Sequence, residues 1–399
     1  MRKSVFLKNI LDLLRKKRYY IIVSESVFLL TYNIRRKIMN LEAIAIANKF
    51  DIKGNAVSAE NYGCGHINDT FKIITDEGSK YLLQRINTSI FKDPASLMDN
   101  IISVTEFLKK KIIAAGGNPE RETLNVIMTK KGEKFYSDES GCWRVYIFVD
   151  DTITLQTAET PELFYASACA FGRFQKLLAD FPAHTLTESI PDFHNTKKRF
   201  LAFEEAVAND VCGRAKEVEK EIEFVRARKD FAATLVDMQE SGDIPLRVTQ
   251  NDTKLNNVML DAATKQPLVV VDLDTVMPGL SVNDFGDSIR FGATHAAEDE
   301  VDLSKVNFEL DLFECYTKGF LGECGSLISD IEKKMLPVGA MMMTFECGMR
   351  FLTDYLNGDT YFKIHREKHN LDRCRTQFKL VYDMEKAKDK MDAIVKKYC

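Results

Sequence analysis

The chain has 399 residues, enough for two lobes each with its own core, and its 55 Lys and Arg against 59 Asp and Glu leave a net charge of −4. That balance argues against a polybasic nucleic-acid binder. The nine cysteines are odd in number and scattered without a C-x-x-C pair, so neither a zinc site nor a disulfide framework is indicated, and a reducing cytoplasm is the expected home.

Residues 1–38 are basic, and their apolar stretch at 19–32 is interrupted by Ser24, Glu25 and Ser26. The stretch is too short and too interrupted to span a bilayer, and no small-residue cleavage site follows it. We expect 1–38 to lie outside the main fold, with Met39 as a natural start; the competing reading is a membrane-surface helix. The globular pattern begins at Met39-Asn40-Leu41-Glu42 with an amphipathic helix to about Phe50. Strands are expected at 56–60 and 70–75, joined by Tyr62-Gly63-Cys64-Gly65-His66-Ile67-Asn68-Asp69. The glycines let backbone N–H groups approach an anion without a clashing Cβ, although a lone Gly-x-Gly is more often a hairpin turn. A strand at 81–86, a helix at 94–114 and strands at 124–129 and 143–149 follow, and then a mostly helical half. The order strand, glycine turn, two strands, helix, two strands is that of a two-lobed, kinase-like α+β fold. Its small β-rich lobe would be 39–150, its larger helical lobe 151–399, and its hinge Val149-Asp150-Asp151-Thr152.

Within the helical half, Asp252 is followed five residues later by Asn257, and twenty residues after Asp252 the carboxylate of Asp272 ends the apolar run 268–271. Phosphoryl transfer from ATP requires this set. One carboxylate orients the attacking hydroxyl, while an amide and a second carboxylate hold Mg²⁺ against the phosphates. Asp252 is therefore the candidate catalytic residue. Asn257 and Asp272, both hard oxygen donors, are the candidate Mg²⁺ ligands. Asp274 either supports them from behind or is a strand-end carboxylate facing water. Gly63 and Gly65 would approach phosphate through their backbones, and Phe148 and Val149 would hold adenine at the hinge.

The stretches Gly65-His66-Ile67-Asn68-Asp69-Thr70, Arg247-Val248-Thr249-Gln250-Asn251-Asp252-Thr253-Lys254-Leu255-Asn256-Asn257 and Asp284-Phe285-Gly286-Asp287-Ser288-Ile289-Arg290-Phe291-Gly292 resemble the N-acetylhexosamine 1-kinases, within the aminoglycoside-phosphotransferase superfamily. So does Met349-Arg350-Phe351-Leu352-Thr353-Asp354-Tyr355-Leu356-Asn357-Gly358-Asp359-Thr360-Tyr361-Phe362, which is not a generic kinase motif. The resemblance covers roughly 40–390. It implies ATP-dependent phosphorylation of the anomeric hydroxyl of N-acetylglucosamine or N-acetylgalactosamine. It picks out Arg350 and Tyr361 as sugar contacts, with His66 and Phe291 as further contributors. It also implies an acidic residue that braces the catalytic loop, expected to be Asp287, with Asp284 as the alternative.

Two positions depart from the superfamily pattern. Gln250 stands where a loop-shaping histidine is usual, and glutamine can still donate and accept hydrogen bonds. Gln84 occupies the strand position of the phosphate-pairing lysine, and Arg85 beside it should point to the opposite face. The phosphate charge must then be met by Mg²⁺, by backbone N–H groups near Gly63–Gly65 or by another cation.

Residue content narrows the substrate class. The segment from Leu273 to Gly286 is too short to present a protein substrate. The basic set Arg350, Lys363, Arg366, Lys368, Arg373 and Arg375 disfavours a polycationic aminoglycoside, and Trp143 is the only tryptophan available for a choline cage. A neutral sugar suits what remains. The alternatives are another small-molecule kinase of this fold and a nucleotide-binding regulator without transferase activity.

Overall fold

Alternation of side chains along a strand puts successive residues on opposite faces of a sheet, and this builds the small lobe. The computed structural model describes residues 39–63, 67–158 and 160–399, so the readings of 1–38, Gly65 and His66 fall outside it. The small-lobe sheet contains β1 (Ala56–Asn61), β2 (Asp69–Thr75), β3 (Lys80–Ile86), β4 (Val126–Ile127), β5 (Tyr136–Asp138) and β6 (Gly141–Ile147). Their order is β1-β2-β3-β6-β4, with β5 also paired to β6. On one face Phe71, Ile73, Tyr81, Leu83, Trp143 and Val145 are buried beneath Ala43, Ile46 and Ala47 of helix α1 (39–47). The other face turns toward the large lobe. There the β2, β3 and β6 register sets Thr70, Gln84 and Arg144 in one row across the strands.

Helix α2 (Pro94–Ala114) starts with Pro94 behind an N-cap at Asp93, whose carboxylate accepts from the Ala95 and Ser96 amides. Its Leu97, Ile101, Val104, Leu108 and Ile112 recur at helical spacing and join the large-lobe core. That lobe adds α3 (Pro161–Leu177), α4 (Thr196–Asn209), α5 (Glu219–Arg226), α6 (Lys229–Ser241), α7 (Ser281–Gly292), α8 (Leu310–Cys324), α9 (Asp330–Leu356) and α10 (His369–Tyr398). It also holds five short strands: β7 (Thr152–Thr154), β8 (Arg247–Thr249), β9 (Val258–Asp261), β10 (Pro267–Val270) and β11 (Met277–Gly279). The run expected at 268–271 is β10. The other four are only three or four residues long, too short to show a period against neighbouring loops. For the same reason the strand expected at 124–129 shrinks to β4, and β5 escaped notice. No helix among the described residues is long and apolar enough to cross a membrane.

Helix α7 is buried at every position except Phe291, because it runs through the middle of the lobe. It crosses α9 at two glycines. A Cβ on Gly286 would lie 2.3 Å from the Gly339 carbonyl oxygen, and one on Gly339 would lie 2.2 Å from that of Val282. Gly286→Ala must push two helix backbones apart. We expect a loss of about 1–3 kcal/mol, the usual range for overpacking, read as a lower midpoint in urea unfolding. An unchanged midpoint would mean that the crossing is loose.

Candidate active site

The site is organised by a loop that leaves β8 in a conformation most residues avoid. Asn251 has φ +63°, and Asp272, at the end of the β10 run, has φ +55°. Left-handed non-glycine residues cost of order 1–3 kcal/mol each and persist only where their surroundings over-determine them. Here they do. The Asp284 carboxylate on α7 accepts the backbone N–H of Gln250 (2.9 Å) and of Asn251 (2.8 Å), and the Gln175 amide (2.9 Å) from α3. Burial pushes Asp284 up to about 6, against the lowering effect of those three donors. Thr253 donates to the Asp284 carbonyl (2.6 Å), and Ser288 donates to the Thr253 carbonyl (2.8 Å), which pins the loop along α7.

This corrects one expectation. The carboxylate that receives the loop's amides is Asp284, the alternative, and not Asp287. Asp287 lies one helical turn further on, where it binds Arg290 Nε at 2.8 Å. Gln250 fills the place of the superfamily histidine with complementary atoms. Its Oε1 accepts from the Asp252 amide (2.7 Å) and its Nε2 donates to the Asp272 carbonyl (2.9 Å), so one side chain ties the two carboxylate segments together.

The loop presents Asp252 to the cleft. Lys254 Nζ lies 2.7 Å from Asp252 Oδ1, and Asn257 Nδ2 donates to the Asp252 carbonyl (2.7 Å) and to Oδ2 (3.2 Å). Sequence reasoning missed Lys254, although its place two residues after Asp252 was a usable signal. Its ammonium is shifted upward: burial opposes this, but Asp252 and Asp287 on either side outweigh it. With its amide nitrogen turned to Asp252, Asn257 has Oδ1 left to offer a cation. Asp272 is pushed up to about 7 by burial and then by the neighbouring Asp274 and Asp252 carboxylates. Crowded carboxylates of this kind are relieved by a divalent cation. No three His, Cys, Asp or Glu side chains among the described residues form a closed cage. The donor set fits Mg²⁺, which takes one or two protein oxygens and completes its shell with phosphate and water.

On the small-lobe side, Gln84 faces the cleft and Arg85 the opposite way, where it pairs with Asp69 and lies over Trp143. Arg144, in register with Gln84, was not singled out from the sequence. Its Nε and Nη2 donate to Gln84 Oε1 at 3.1 and 2.9 Å, and its Nη1 lies 2.5 Å from Asp274 Oδ1. Asn68, just after the glycine turn, donates to Asp274 Oδ2 at 2.7 Å. Asp274 is therefore a buried inter-lobe anchor and does not face water. Gly63 has φ +78° with open space around it, a conformation rather than a cavity that favours glycine. At the hinge, the Phe148 ring meets the edge of Tyr62 at 5.2 Å with Lys72 Nζ 4.5 Å from its centroid, and Thr152 donates to the Val149 carbonyl.

The sugar contacts expected at Arg350 and Tyr361 come together. The Arg350 guanidinium lies 5.4–6.0 Å from the ring centres of Phe362, Tyr361 and Phe193, and Tyr361 is 67% exposed. Phe291 is half-buried at a cavity of about 340 Å³ that Arg290, Thr294, Glu298 and Gln377 also line. Beneath Arg350, Glu346 Oε1 lies 3.9 Å from its Nη1 and Glu346 Oε2 lies 3.1 Å from His194 Nδ1. His194 Nε2 is 3.3 Å from the Asn251 carbonyl.

The His194–Glu346 pair has a pH signature. Burial depresses His194, but Glu346 and then Asp287 outweigh that and Arg350's opposition, so its pKa is raised. Burial raises Glu346, but His194, Arg350 and Arg199 outweigh that, so its pKa is lowered. The raised histidine gives stability that is present below the unfolded histidine pKa and lost as pH rises through its folded value. The lowered glutamate gives stability present above its unfolded pKa and lost as pH falls through its folded value. On the alkaline side, wild-type melting temperature should decline as pH rises above the ordinary histidine value of about 6.5, and His194→Gln should flatten that decline. Parallel profiles for the two proteins would show that His194 is neutral throughout.

Set beside known proteins, residues 59–316 match the model of the family described as "Phosphotransferase enzyme family". A microcompartment-associated aminopropanol kinase superposes with TM-score 0.54 at 12% identity, covering 88% of this chain and 98% of that one. A spectinomycin phosphotransferase, solved with ADP and spectinomycin, gives 0.55 at 11% identity with the same coverage. A choline kinase from Cryptosporidium parvum gives 0.52 at 14% identity, covering 89% of this chain and 96% of that one. At these identities the likeness is one of fold: a small antiparallel-sheet lobe over a helical lobe, as the order of elements predicted.

Proposed function

The chain belongs to the phosphotransferase enzyme family, and from that premise we propose that it transfers the γ-phosphoryl group of ATP to the anomeric hydroxyl of N-acetylglucosamine or N-acetylgalactosamine. The observation that carries the phosphotransferase reading is the convergence of Asp252, Lys254 and Asn257 on one loop beside Asp272. Asp252 accepts a hydrogen bond from the acceptor hydroxyl and aligns it with the phosphorus. Transfer of this kind rests on positioning and charge rather than covalent help. As the new O–P bond forms and the bond to the ADP oxygen breaks, the hydroxyl proton passes to Asp252. Lys254 meets charge developing beside Asp252. Asn257 Oδ1 and the Asp272 carboxylate are the groups to hold Mg²⁺, which when bound neutralises the phosphate oxygens. Arg350 and Tyr361 are proposed to hold the sugar's hydroxyls and acetamido oxygen, with His66 and Phe291 contributing.

The cavity at Phe291 is lined by neither Arg350 nor Tyr361, which favours one further reading, a kinase of the same mechanism with a different hydroxylated acceptor. The test is ADP release with Mg²⁺-ATP against N-acetylglucosamine, N-acetylgalactosamine, glucose, galactose, choline, homoserine and kanamycin. Turnover confined to the N-acetyl sugars, with the sugar KM raised in Arg350→Ala and Tyr361→Phe, is the expected result. Turnover with another acceptor alone would replace the substrate and leave the mechanism. No turnover with any of them would favour the regulator.

A further inference from the structure

We propose that Arg144 is a positioning residue that locks the Gln84 carboxamide so that its N–H points into the cleft as a neutral donor to a nucleotide phosphate oxygen, in the place of the missing strand lysine. The inference rests on the ATP-dependent reaction proposed above.

The argument begins with what arginine can do. A guanidinium has five N–H donors and no acceptor. Its Nε and Nη2 both reach one atom of Gln84, at 3.1 and 2.9 Å, so that atom must be the amide oxygen. The opposite amide orientation would set donor against donor. The Gln84 nitrogen is thereby turned away from Arg144, where one of its hydrogens is taken by Thr70 Oγ1 at 3.1 Å. Among the described residues the second hydrogen has no acceptor.

Accessibility separates the two side chains. Arg144 is 1% exposed and its charge is taken by Asp274, itself buried, so the guanidinium itself is out of a ligand's reach. Gln84 is half-buried on the cleft face. A buried cation against a carboxamide oxygen draws electron density from the amide and strengthens its N–H as a donor. The same Arg144 holds Asp274, two residues past Asp272, and Asp274 takes the Asn68 amide from the end of the glycine turn. One row across β2, β3 and β6 thus ties the phosphate-facing turn, the strand donor and the metal-facing segment together.

The test is calorimetric binding of Mg²⁺-ADP and of adenosine, with steady-state KM for ATP, on the full chain. Gln84→Glu keeps the shape and gives Arg144 an ion-pair partner, so the fold should survive, but it removes the N–H and adds negative charge. We expect Mg²⁺-ADP affinity to fall at least about tenfold, adenosine affinity to change less than about twofold, and the acceptor KM to stay unchanged. Arg144→Lys, which keeps the charge for Asp274 but loses the fork, should weaken Mg²⁺-ADP about fivefold on its own and have no further effect in the Gln84→Glu background. Unchanged Mg²⁺-ADP affinity in Gln84→Glu would overturn the donor role. An Arg144→Lys loss of equal size in both backgrounds would overturn the orienting role. Absence of Mg²⁺-ADP binding to the wild-type chain would instead overturn the ATP reading itself.

Discussion

Asp252→Asn should lower turnover by about two to four orders of magnitude, the range for a positioned acid–base group, while Mg²⁺-ADP still binds. The reason is the donor count around this carboxylate. Lys254 donates to Oδ1 and Asn257 donates to Oδ2, and both partners are nitrogens with hydrogens to give. An asparagine has only one oxygen at its tip, so one of these contacts becomes donor against donor. The remaining oxygen must then choose between its neighbours and the acceptor hydroxyl. The loop itself should stand, because its backbone is held by Asp284, Gln250 and Thr253 rather than by the Asp252 side chain. Initial-rate ADP release beside calorimetric Mg²⁺-ADP binding checks both halves. Turnover within tenfold of wild type would remove Asp252 from the chemistry. Loss of nucleotide binding as well would make it part of the phosphate site instead.

The second large effect is expected at a residue that touches no substrate. Asp284 is 1% exposed and accepts three N–H groups, two of them from the backbone immediately before Asp252. Asp284→Asn replaces one accepting oxygen with a donor in a site where every neighbour donates. At roughly 1.5–3 kcal/mol for a hydrogen bond to a charged group, the loss should be about 2–4 kcal/mol. The left-handed turn at Asn251 would then lose the contacts that impose it. A displacement of about 1 Å at Asp252 is enough to cost about 100-fold in rate. Urea unfolding and kcat, measured on the same preparation, should fall together. A variant with wild-type stability and kcat would mean that α7 does not hold the loop. One with wild-type stability and low kcat would narrow the role of Asp284 to alignment.

The sequence alone determined the architecture, and it supplied the residues proposed here as the reacting set. Strands long enough to alternate, a helix with five apolar residues at helical spacing and a punctuating glycine turn are local signals, and they gave the two-lobed order without any contact information. Asp252, Asn257 and Asp272 could be proposed from the sequence because the chemistry proposed for them depends on residue type and on spacing along a short stretch of chain. What only the tertiary structure decided is which partners meet across long separations. Arg144 lies 130 residues from Asp274, with Gln84 on yet another strand, and only the β3–β6 register and lobe packing bring the three together. The choice of Asp284 over Asp287 is a matter of position along the helix axis: both lie on one side of α7, a turn apart, but only Asp284 reaches the Gln250 and Asn251 amides. Spacing along a chain fixes which groups share a turn. The angle at which two elements pack fixes which of those groups meets a partner, and no single stretch of sequence contains that angle.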